Sequence, residues 1–541
     1  MADQETARCL DQVTTRIASA KRMIENNWDR YINAPYDLAR LHLARADQLL
    51  EEARQLASTD MEGCRSKATT ASTEAWEGYL LSLPSRVAEA RGVWYRPVEK
   101  NREEVGRTLD RMQAAGFNEL YLETWLWGYT IYPSHTAMVK GIEAQHPAFR
   151  GYDPLEAFVM EGELRGIAVH AWLDGFMVGV DTTGGPVLRA YPEWSALSQR
   201  QAHSQKPLPQ QGTGYFWLDL TNPSVRKYLL NIVIEIVSTY RVAGINLDFM
   251  RFPHTDGDWQ DTYCFSLYAR EAFQREHSWD PLEISSEQRE LWTIWTKWLE
   301  QQEDEFVSHL YKEMKRISPN LIVSAAPEPG AESTKIGNWS QHVDVVIPQA
   351  YYAKASEVRP SVLLHKKELI PGNLVYSGIY PMYAQLGAQE TIEQVLAAQD
   401  IDMGTVIFAF GQATDETIRA LRLGPWRNAA ISTGMYPLRA IQALLEAVKT
   451  DMKHLYLPRL AVHEQTALAN IERLDVFLDA LQRHQGEELS IVFDQKIAEF
   501  KSFLLQHQVD GMIHPVLVEQ LTNTLTDVQE LLHYAQMKQV K

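Results

Sequence analysis

Apolar residues follow two different spacings along the chain, and the spacing changes twice. Up to about Leu83, and again from Pro437 onwards, they recur every three or four residues, which is the pattern of amphipathic helices. Between Arg91 and about Gly411, short apolar runs alternate with helical stretches, which predicts parallel strands wound with helices. The pattern therefore predicts an N-terminal helical segment (1–88), a central region (89–435) and a C-terminal helical domain (436–541).

The central region contains eight strand-like runs, most of them followed or preceded by a helical stretch. Eight such strands fit one closed barrel better than an open doubly wound sheet, where fewer strands are usual. The predicted fold class is therefore α/β, a (β/α)8 TIM-type barrel with N-terminal helices and a C-terminal helical bundle. The runs are RGVWYRP, FNELYLETW, IAVHAWLDG, AGINLDFMRF, LIVSAAPEP, VDVVIPQAYY, LVYSGIY and TVIFAFG.

Long insertions follow the second, third and fourth predicted strands, at residues 126–152, 175–222 and 253–288. In a barrel all three lie on the C-terminal face, where they can wall a groove. The second insertion is rich in Gly, Pro and Gln, and this composition predicts a mobile loop rather than a packed element.

Composition and motifs narrow the class of partner. The net charge of −18 argues against a nucleic-acid partner, because phosphate binding needs clustered Lys and Arg. The sequence holds no apolar run of about 18 residues or more, so no transmembrane segment is predicted. No dinucleotide or P-loop motif follows a strand, and neither the three cysteines nor His170 has metal-ligand spacing, so no cofactor and no metal is predicted. The oligomeric state has no sequence signal.

Acidic and aromatic side chains gather at the C-terminal ends of the predicted strands, which in a barrel open onto the active-site face. The second strand ends with Glu123, the third with Asp174, the fourth with Asp248 and Arg251, and the fifth with Glu328. The other candidates at these ends are Trp125, Trp127, His170, Trp172, Gln349, Tyr351 and Tyr352.

Converging carboxylates ringed by aromatic side chains are what a glycoside hydrolase requires. One carboxyl group donates a proton to the leaving oxygen, while a second, ionised group meets the oxocarbenium-like carbon. Asp248 is the better anion, because a nearby Arg251 would lower its pKa by ~1–3 units. Glu328 has no cation beside it in sequence and is the candidate acid, with Glu123 as its nearest competitor. We expect the remaining candidates to line the sugar subsites.

Several motifs, taken in order over residues 91 to about 425, resemble the glycosyl-hydrolase-like family called family 10-like, a group of bacterial barrels. The motifs are RGVWYRP, FNELYLETW with YPS at 132–134, YDPLEAFVMEGELRGIAVHAWL, WLDLTNPSVRKYL, YRVAGINLDFMRFP and DVVIPQAYY. The resemblance implies a secreted or envelope-associated enzyme acting on a polysaccharide, with a peptidoglycan glycan hydrolase among the relatives. The sequence itself begins with a polar, acidic stretch and predicts no signal peptide, so a cytoplasmic location stays open.

The resemblance also bears on the two catalytic candidates. Asp248 looks like the nucleophile position of the α-amylase-like barrels, whose acid is a fifth-strand Glu, and Glu328 fits that position. Phe249 stands where the family commonly has a second acidic residue, which puts a paired-carboxylate role at that spot in doubt.

Two other classes of function stay open. A carbohydrate-binding or cell-wall scaffold barrel would hold glycan without cutting it, and Asp248 and Glu328 would then point into separate salt bridges. A lyase or aldolase fits less well, because no strand ends in a Lys for a Schiff base and Lys354 is the only near candidate.

Overall fold

The computed structural model describes residues 2–180, 184–253, 261–285, 287–328, 336–483 and 486–540. Three N-terminal helices, α1 (Ala2–Asp29), α2 (Tyr36–Leu56) and α3 (Met61–Leu81), pack together around their own apolar core. Asp60 caps α3, because its side chain accepts a hydrogen bond from the Gly63 amide. Alanines on the facing sides of α2 and α3 let the two helices approach closely.

A parallel barrel follows, and it confirms the predicted fold class. All eight predicted runs are barrel strands, and neighbouring strands pair in parallel around the ring. The seventh run is broken at Tyr376 into β10, which pairs with β9, and β11, which pairs with β12, so the ring is completed across that residue. The strands are β1 (Ala90–Tyr95), β2 (Glu119–Leu126), β3 (Tyr129–Thr130), β4 (Ala168–Leu173), β5 (Met177–Gly179), β6 (Phe216–Trp217), β7 (Gly244–Leu247), β8 (Ile322–Ala325), β9 (Val345–Val346), β10 (Leu374–Val375), β11 (Ser377–Ile379) and β12 (Gly404–Phe408).

Helices cover the outside of the barrel and bury the outer faces of its strands. The helix before the fourth barrel strand has Pro223 in its first turn and is capped by Asn222, whose side chain accepts a hydrogen bond from the Ser224 amide at 2.9 Å. The α-helices are α4 (Arg102–Ala115), α5 (His135–Val139), α6 (Pro154–Arg165), α7 (Gly185–Ala190), α8 (Pro223–Thr239), α9 (Leu267–His277), α10 (Arg289–Ile317), α11 (Ile336–Trp339), α12 (Ala355–Lys366), α13 (Gly387–Leu396) and α14 (Asp415–Leu423), with 3-10 turns at Pro147–Phe149, Pro192–Trp194, Gln199–Gln201, Pro281–Glu283, Ser340–His342 and Phe410–Gln412.

The insertion at residues 175–222 corrects one prediction. Its Gly-, Pro- and Gln-rich composition predicted a mobile loop; residues 205–214 are indeed mostly exposed without helix or strand, but the rest of its described part is packed. Strands β5 and β6 form an antiparallel pair, and Trp194, Leu197 and Trp217 are buried. The aromatic residues scattered through the insertion supply enough apolar surface to hold it against the barrel, and this outweighs the local preference of Gly and Pro for loops.

The C-terminal helices close the barrel at the end opposite the strand C-termini. Tyr534 donates a hydrogen bond from its hydroxyl to the Gly434 carbonyl at 3.0 Å, and the Lys538 ammonium donates to the same oxygen at 3.1 Å. The apolar core of these helices is continuous with the barrel interior around Tyr121 and Tyr376. The helices are α15 (Pro437–Asp451), followed by a π-helical turn at Met452–Tyr456, α16 (Glu464–Arg483), α17 (Gly486–Val509) and α18 (Pro515–Val540).

Among the helices described, none combines the length and the apolar composition that crossing a membrane requires.

Candidate functional site

Asp248 follows β7 directly and is the most tightly held carboxylate at the barrel mouth. Its Oδ1 accepts hydrogen bonds from the Phe249 amide at 2.9 Å and from Gln349 Nε2 at 3.1 Å, and its Oδ2 accepts one from Trp172 Nε1 at 3.1 Å. Phe249 has a φ of 50°, and this left-handed backbone turns its amide toward the carboxylate. Burial raises the pKa of Asp248 to about 6, although these donors and Arg251 oppose the rise.

Arg251 contacts a different carboxylate from the one that its sequence position suggests. Its guanidinium forms an ion pair with Glu328. The guanidinium carbon also lies 5.2 Å from the ring centre of Trp217 and 5.5 Å from that of Phe249, so two aromatic rings hold the side chain in place. Arg251 lowers the pKa of Asp248 through its charge, as the sequence predicted, but burial outweighs this effect, and the turn at Phe249 directs the guanidinium toward Glu328 after the fifth barrel strand.

Two predictions about the protonation of these carboxyl groups are corrected as a result. Glu328 was expected to lack a cation and to carry the proton, but its ion pair with Arg251 requires a carboxylate. Asp248 was expected to have a lowered pKa, and burial raises it instead. Both side chains line one narrow cleft of about 10 Å³, roughly the room of a single water molecule.

A second acidic cluster lies beside Asp248, on the neighbouring strands. Arg96 Nε donates to both oxygens of Glu123, at 2.9 and 3.0 Å, and its guanidinium carbon lies 5.3 Å from the ring centre of Trp172. Burial raises the pKa of Glu123 to about 7. Burial together with the charges of Glu123 and Asp248 raises the pKa of Asp174 far more. Neither buried oxygen of Asp174 has a hydrogen-bond partner of good geometry within the described residues.

Aromatic side chains wall the mouth on the opposite side. Tyr351 stacks on Tyr380 with ring centres 5.1 Å apart and on Phe408 at 6.0 Å. Trp172, although buried, faces the mouth through the hydrogen bond of its indole to Asp248. Two further predicted aromatics, Trp127 and Tyr352, are half-buried and pack against the outer core of the barrel.

Two predicted wall residues, Trp125 and His170, lie away from the mouth. Trp125 is buried in the outer core, with its ring centre 6.0 Å from that of Tyr228 and its indole N–H donated to the Gly175 carbonyl. A register shift between Glu123 and Trp125 breaks the strict alternation of side chains and directs the tryptophan outward.

His170 lies one layer below the mouth, two residues before Trp172 on β4. It is fully buried, stacks on Tyr121 with ring centres 4.7 Å apart, and burial lowers its pKa to about 3. The prediction that Trp125 and His170 line sugar subsites is therefore wrong.

Arg96 is a site residue that the sequence reasoning missed. It stands at the end of the first predicted strand, RGVWYRP, which contains no carboxylate. The available signal was a cation at a strand C-terminus, which is the same signal that selected Arg251. Phe408, at the end of the eighth run, was missed as a wall residue in the same way.

Within the described ranges, no group of three or more His, Cys, Asp or Glu side chains is arranged to hold a metal ion. The mouth instead gathers buried carboxylates, two guanidinium groups and stacked aromatic rings at the C-terminal ends of parallel barrel strands. This combination defines a class, the glycoside-hydrolase-like barrels.

The chain belongs to the glycosyl hydrolase-like 10 family, whose model matches residues 87–379, more than half of the sequence. It is similar to the glycosyl hydrolase DigH of Escherichia coli K12, with 30% identity over 156 residues that cover 28% of this chain and 34% of DigH. It is also similar to the glycosyl hydrolase YngK of Bacillus subtilis 168, with 21% identity over 47% of this chain and 50% of YngK. The matched segment thus spans between about a third and a half of these relatives.

Among solved structures, the fold is similar to α-L-fucosidase isoenzyme 2 from Paenibacillus thiaminolyticus. The TM-score is 0.40, with 13% identity over 62% of this chain and 48% of the fucosidase.

Proposed function

We propose that this protein hydrolyses glycosidic bonds in a bacterial cell-wall or extracellular polysaccharide, with Asp248 and Glu328 as its two catalytic carboxyl groups. The observation that carries the proposal is the setting of Asp248. Three hydrogen-bond donors from three different segments fix both of its oxygens at the mouth of the barrel. This arrangement orients an anion, and a pKa of about 6 leaves most of it ionised at neutral pH.

In this mechanism Asp248 is the nucleophile or charge stabiliser that faces the developing oxocarbenium ion. Glu328 is the general acid and base, and a bound sugar has to separate it from Arg251 before it can act on the leaving oxygen. Glu328 suits this role better than Glu123, because its side chain is 33% exposed, whereas Glu123 is fully buried and held by Arg96. Arg251 then remains beside Asp248 as a counter-charge.

Asp174 and Trp172 are buried, so neither reaches a sugar bound at the mouth. The sugar-binding part of the proposal rests on the half-buried side chains there. Tyr351 supplies a ring face, and Gln349 supplies an amide group.

The test is the variant Asp248→Asn, which keeps the size of the side chain and removes the charge. Hydrolysis of a panel of purified polysaccharides, including peptidoglycan strands and amino-sugar polymers, is expected to fall by at least about 1,000-fold, with an unchanged melting temperature. Asp415→Asn, at an exposed ion pair with Arg111, is the matched control and keeps full activity. A fully active Asp248→Asn enzyme would exclude the mechanism.

A second variant asks whether Asp248 forms a covalent intermediate. In Asp248→Gly, added azide is expected to restore turnover and to yield a glycosyl azide, because the small anion replaces the missing nucleophile. Turnover that azide leaves unchanged assigns charge stabilisation rather than nucleophilic attack to Asp248.

The second candidate function is a barrel that binds glycan without cutting it. The Arg251–Glu328 ion pair favours it, since a carboxylate that stays paired donates no proton. Binding without turnover by the unaltered chain on every polysaccharide of the panel would select this function.

The proposed substrates lie outside the cytoplasm, so the proposal includes a secreted or envelope-associated location. Fractionation of the source cells, with immunodetection of the chain, tests this part separately.

A further inference from the structure

The insertion between β4 and β7 walls a large cavity next to the Asp248 cleft. The cavity has a volume of about 1120 Å³ and shares Phe249, Arg251 and Glu328 with the cleft. Ligand pockets for drug-sized molecules are usually about 300–1,000 Å³. The space is therefore continuous with the proposed catalytic groups and large enough for several sugar rings.

The cavity wall combines flat aromatic rings with uncharged polar groups. Tyr215, Trp217 and Phe249 form one cluster, in which the rings of Trp217 and Phe249 are 5.9 Å apart and those of Tyr215 and Phe249 are 6.2 Å apart. Tyr215 and Phe249 are half-buried and line the cavity, whereas Trp217 is buried. Gln211 and Thr213, both exposed, add amide and hydroxyl groups to the same wall.

Among the described residues of this lining, the charged groups form ion pairs with one another. Arg200 Nε lies 2.8 Å from Asp261 Oδ1, and Arg251 is paired with Glu328. Aromatic faces, amides and hydroxyls with balanced charge suit a ligand that is polar but uncharged, whose C–H faces stack and whose hydroxyl and amide groups form hydrogen bonds.

The wall is also pre-formed. Trp217 Nε1 donates to the side-chain oxygen Oε1 of Gln210 at 3.0 Å. The backbone N–H of Gln210 donates to the Tyr215 carbonyl at 2.7 Å, so the segment folds back on itself. An antiparallel bridge joins Ser195 to Leu218 within the insertion, and a second joins Ser198 to Tyr263, which fastens the insertion to the segment after β7. A fixed wall lowers the ordering cost of binding.

We propose that this cavity is an extended subsite that binds several consecutive uncharged sugar units of a glycan chain, on the Glu328 side of the cleft. The inference rests on the proposed function and adds a substrate requirement to it. The protein acts on chains rather than on single terminal sugars, and its affinity increases with chain length until the cavity is filled.

The test measures binding by titration calorimetry in the Asp248→Asn full-length chain, with N-acetylglucosamine and glucose oligomers of increasing length. Affinity is expected to rise with length and to change little with salt concentration. Tyr215→Ala lowers the affinity for the longest oligomer by about 10-fold and leaves the shortest unchanged, because only the longer chain reaches the ring. Tyr215→Phe keeps the ring and restores the affinity, and Tyr436→Ala, an exposed tyrosine at the other end of the barrel, is the control.

The outcomes separate this inference from the proposed function. Length-dependent binding that Tyr215→Ala abolishes supports the cavity, even if the unaltered chain hydrolyses nothing. Hydrolysis that requires Asp248, combined with a Tyr215→Ala variant that affects all lengths equally or none, overturns the inference alone. Oligomers that fail to bind, and affinity that falls steeply with salt, overturn it as well.

Discussion

The contact between Arg96 and Glu123 shows how strongly single side chains at the mouth depend on one another. Glu123 is fully buried and has one cationic partner, and that partner comes from the neighbouring strand. Removing one member of such a pair leaves an uncompensated charge in a medium that solvates it poorly.

We therefore expect Arg96→Ala to lower the free energy of unfolding by about 2–3 kcal/mol at about pH 9, a value reduced because Arg96 itself is half exposed. At about pH 5 the loss is smaller, since Glu123, with a pKa already raised to about 7, then carries a proton. Urea unfolding at both pH values measures the difference. The control Arg111→Ala, at an exposed pair with Asp415, costs less than about 1 kcal/mol at either pH, and equal losses for Arg96→Ala at both pH values would contradict this explanation.

Glu303 on α10 gives a second prediction. Burial raises its pKa to about 8, and its Oε1 accepts a hydrogen bond from the Phe252 amide at 2.9 Å. An unfolded Glu has a pKa of about 4.3, so the folded state binds this proton more tightly and loses stability as pH rises from about 4 to about 8. Glu303→Gln keeps the acceptor and removes the titration.

Glu303→Gln is therefore expected to be more stable than the unaltered chain by roughly 2 kcal/mol at about pH 8 and equal to it near pH 4. Glu305→Gln, an exposed position on the same helix, is the control and changes stability by less than about 0.5 kcal/mol. Thermal unfolding across the pH range is the measurement, and a variant that is less stable at about pH 8 would show that the Glu303 charge is needed.

Individual residues also show which contacts could be predicted from the sequence and which could not. Asp248, Trp172 and Gln349 could be predicted as neighbours, because each ends a barrel strand and the ends of the strands meet at one mouth. The partner of Arg251 could not, since the turn at Phe249 and not the three-residue spacing decides which carboxylate the guanidinium reaches.

At the scale of elements, prediction from the sequence is limited by features that the spacing of apolar residues does not reveal. The period of apolar residues identified all eight barrel strands, because a buried strand must be apolar over its whole length. It could not locate the register shift in β2, which moves Trp125 to the outer core, or the layer at which His170 lies. The insertion at 175–222 was misjudged from composition for a related reason, since its packing depends on contacts with distant segments.

Helix α18 carries a prediction at this scale. Tyr534 is fully buried at the base of the barrel, where its core is shared by the C-terminal helices and the barrel interior. Replacing a buried aromatic ring by Ala costs about 3–5 kcal/mol, so Tyr534→Ala is expected to lower the melting temperature of the barrel together with that of the helices. Scanning calorimetry measures this, with the half-exposed Tyr383→Ala as the control.

The expected result is a single unfolding transition that shifts as a whole to lower temperature. Two separate transitions, of which only one moves, would instead support independent folding on either side of the predicted boundary at residue 436.

For the whole molecule, the buried acidic groups and the net charge both lower the free energy of unfolding as pH rises. Glu123 and Asp402 have pKa values raised to about 7 and Asp248 to about 6, all by burial, while the unfolded values lie near 4. The folded chain therefore binds more protons than the unfolded chain between about pH 4 and pH 7. In addition, the net charge of −18 increases self-repulsion as pH rises.

The free energy of unfolding is thus expected to fall from about pH 5 to about pH 8, measured by urea denaturation at constant ionic strength. A stability that rises over this range would mean that the exposed ion pairs outweigh the buried carboxyl groups. Added salt is expected to reduce part of the loss, because it screens the surface charge.

The attachment of α18 to the base of the barrel has a consequence for biosynthesis. The ribosome makes this helix after every barrel strand, so a nascent barrel has an open floor around Tyr121 and Tyr376 until Tyr534 and Lys538 emerge. Ribosome-bound chains halted before α18 should expose apolar surface there and recruit chaperones, whereas full-length released chains should not.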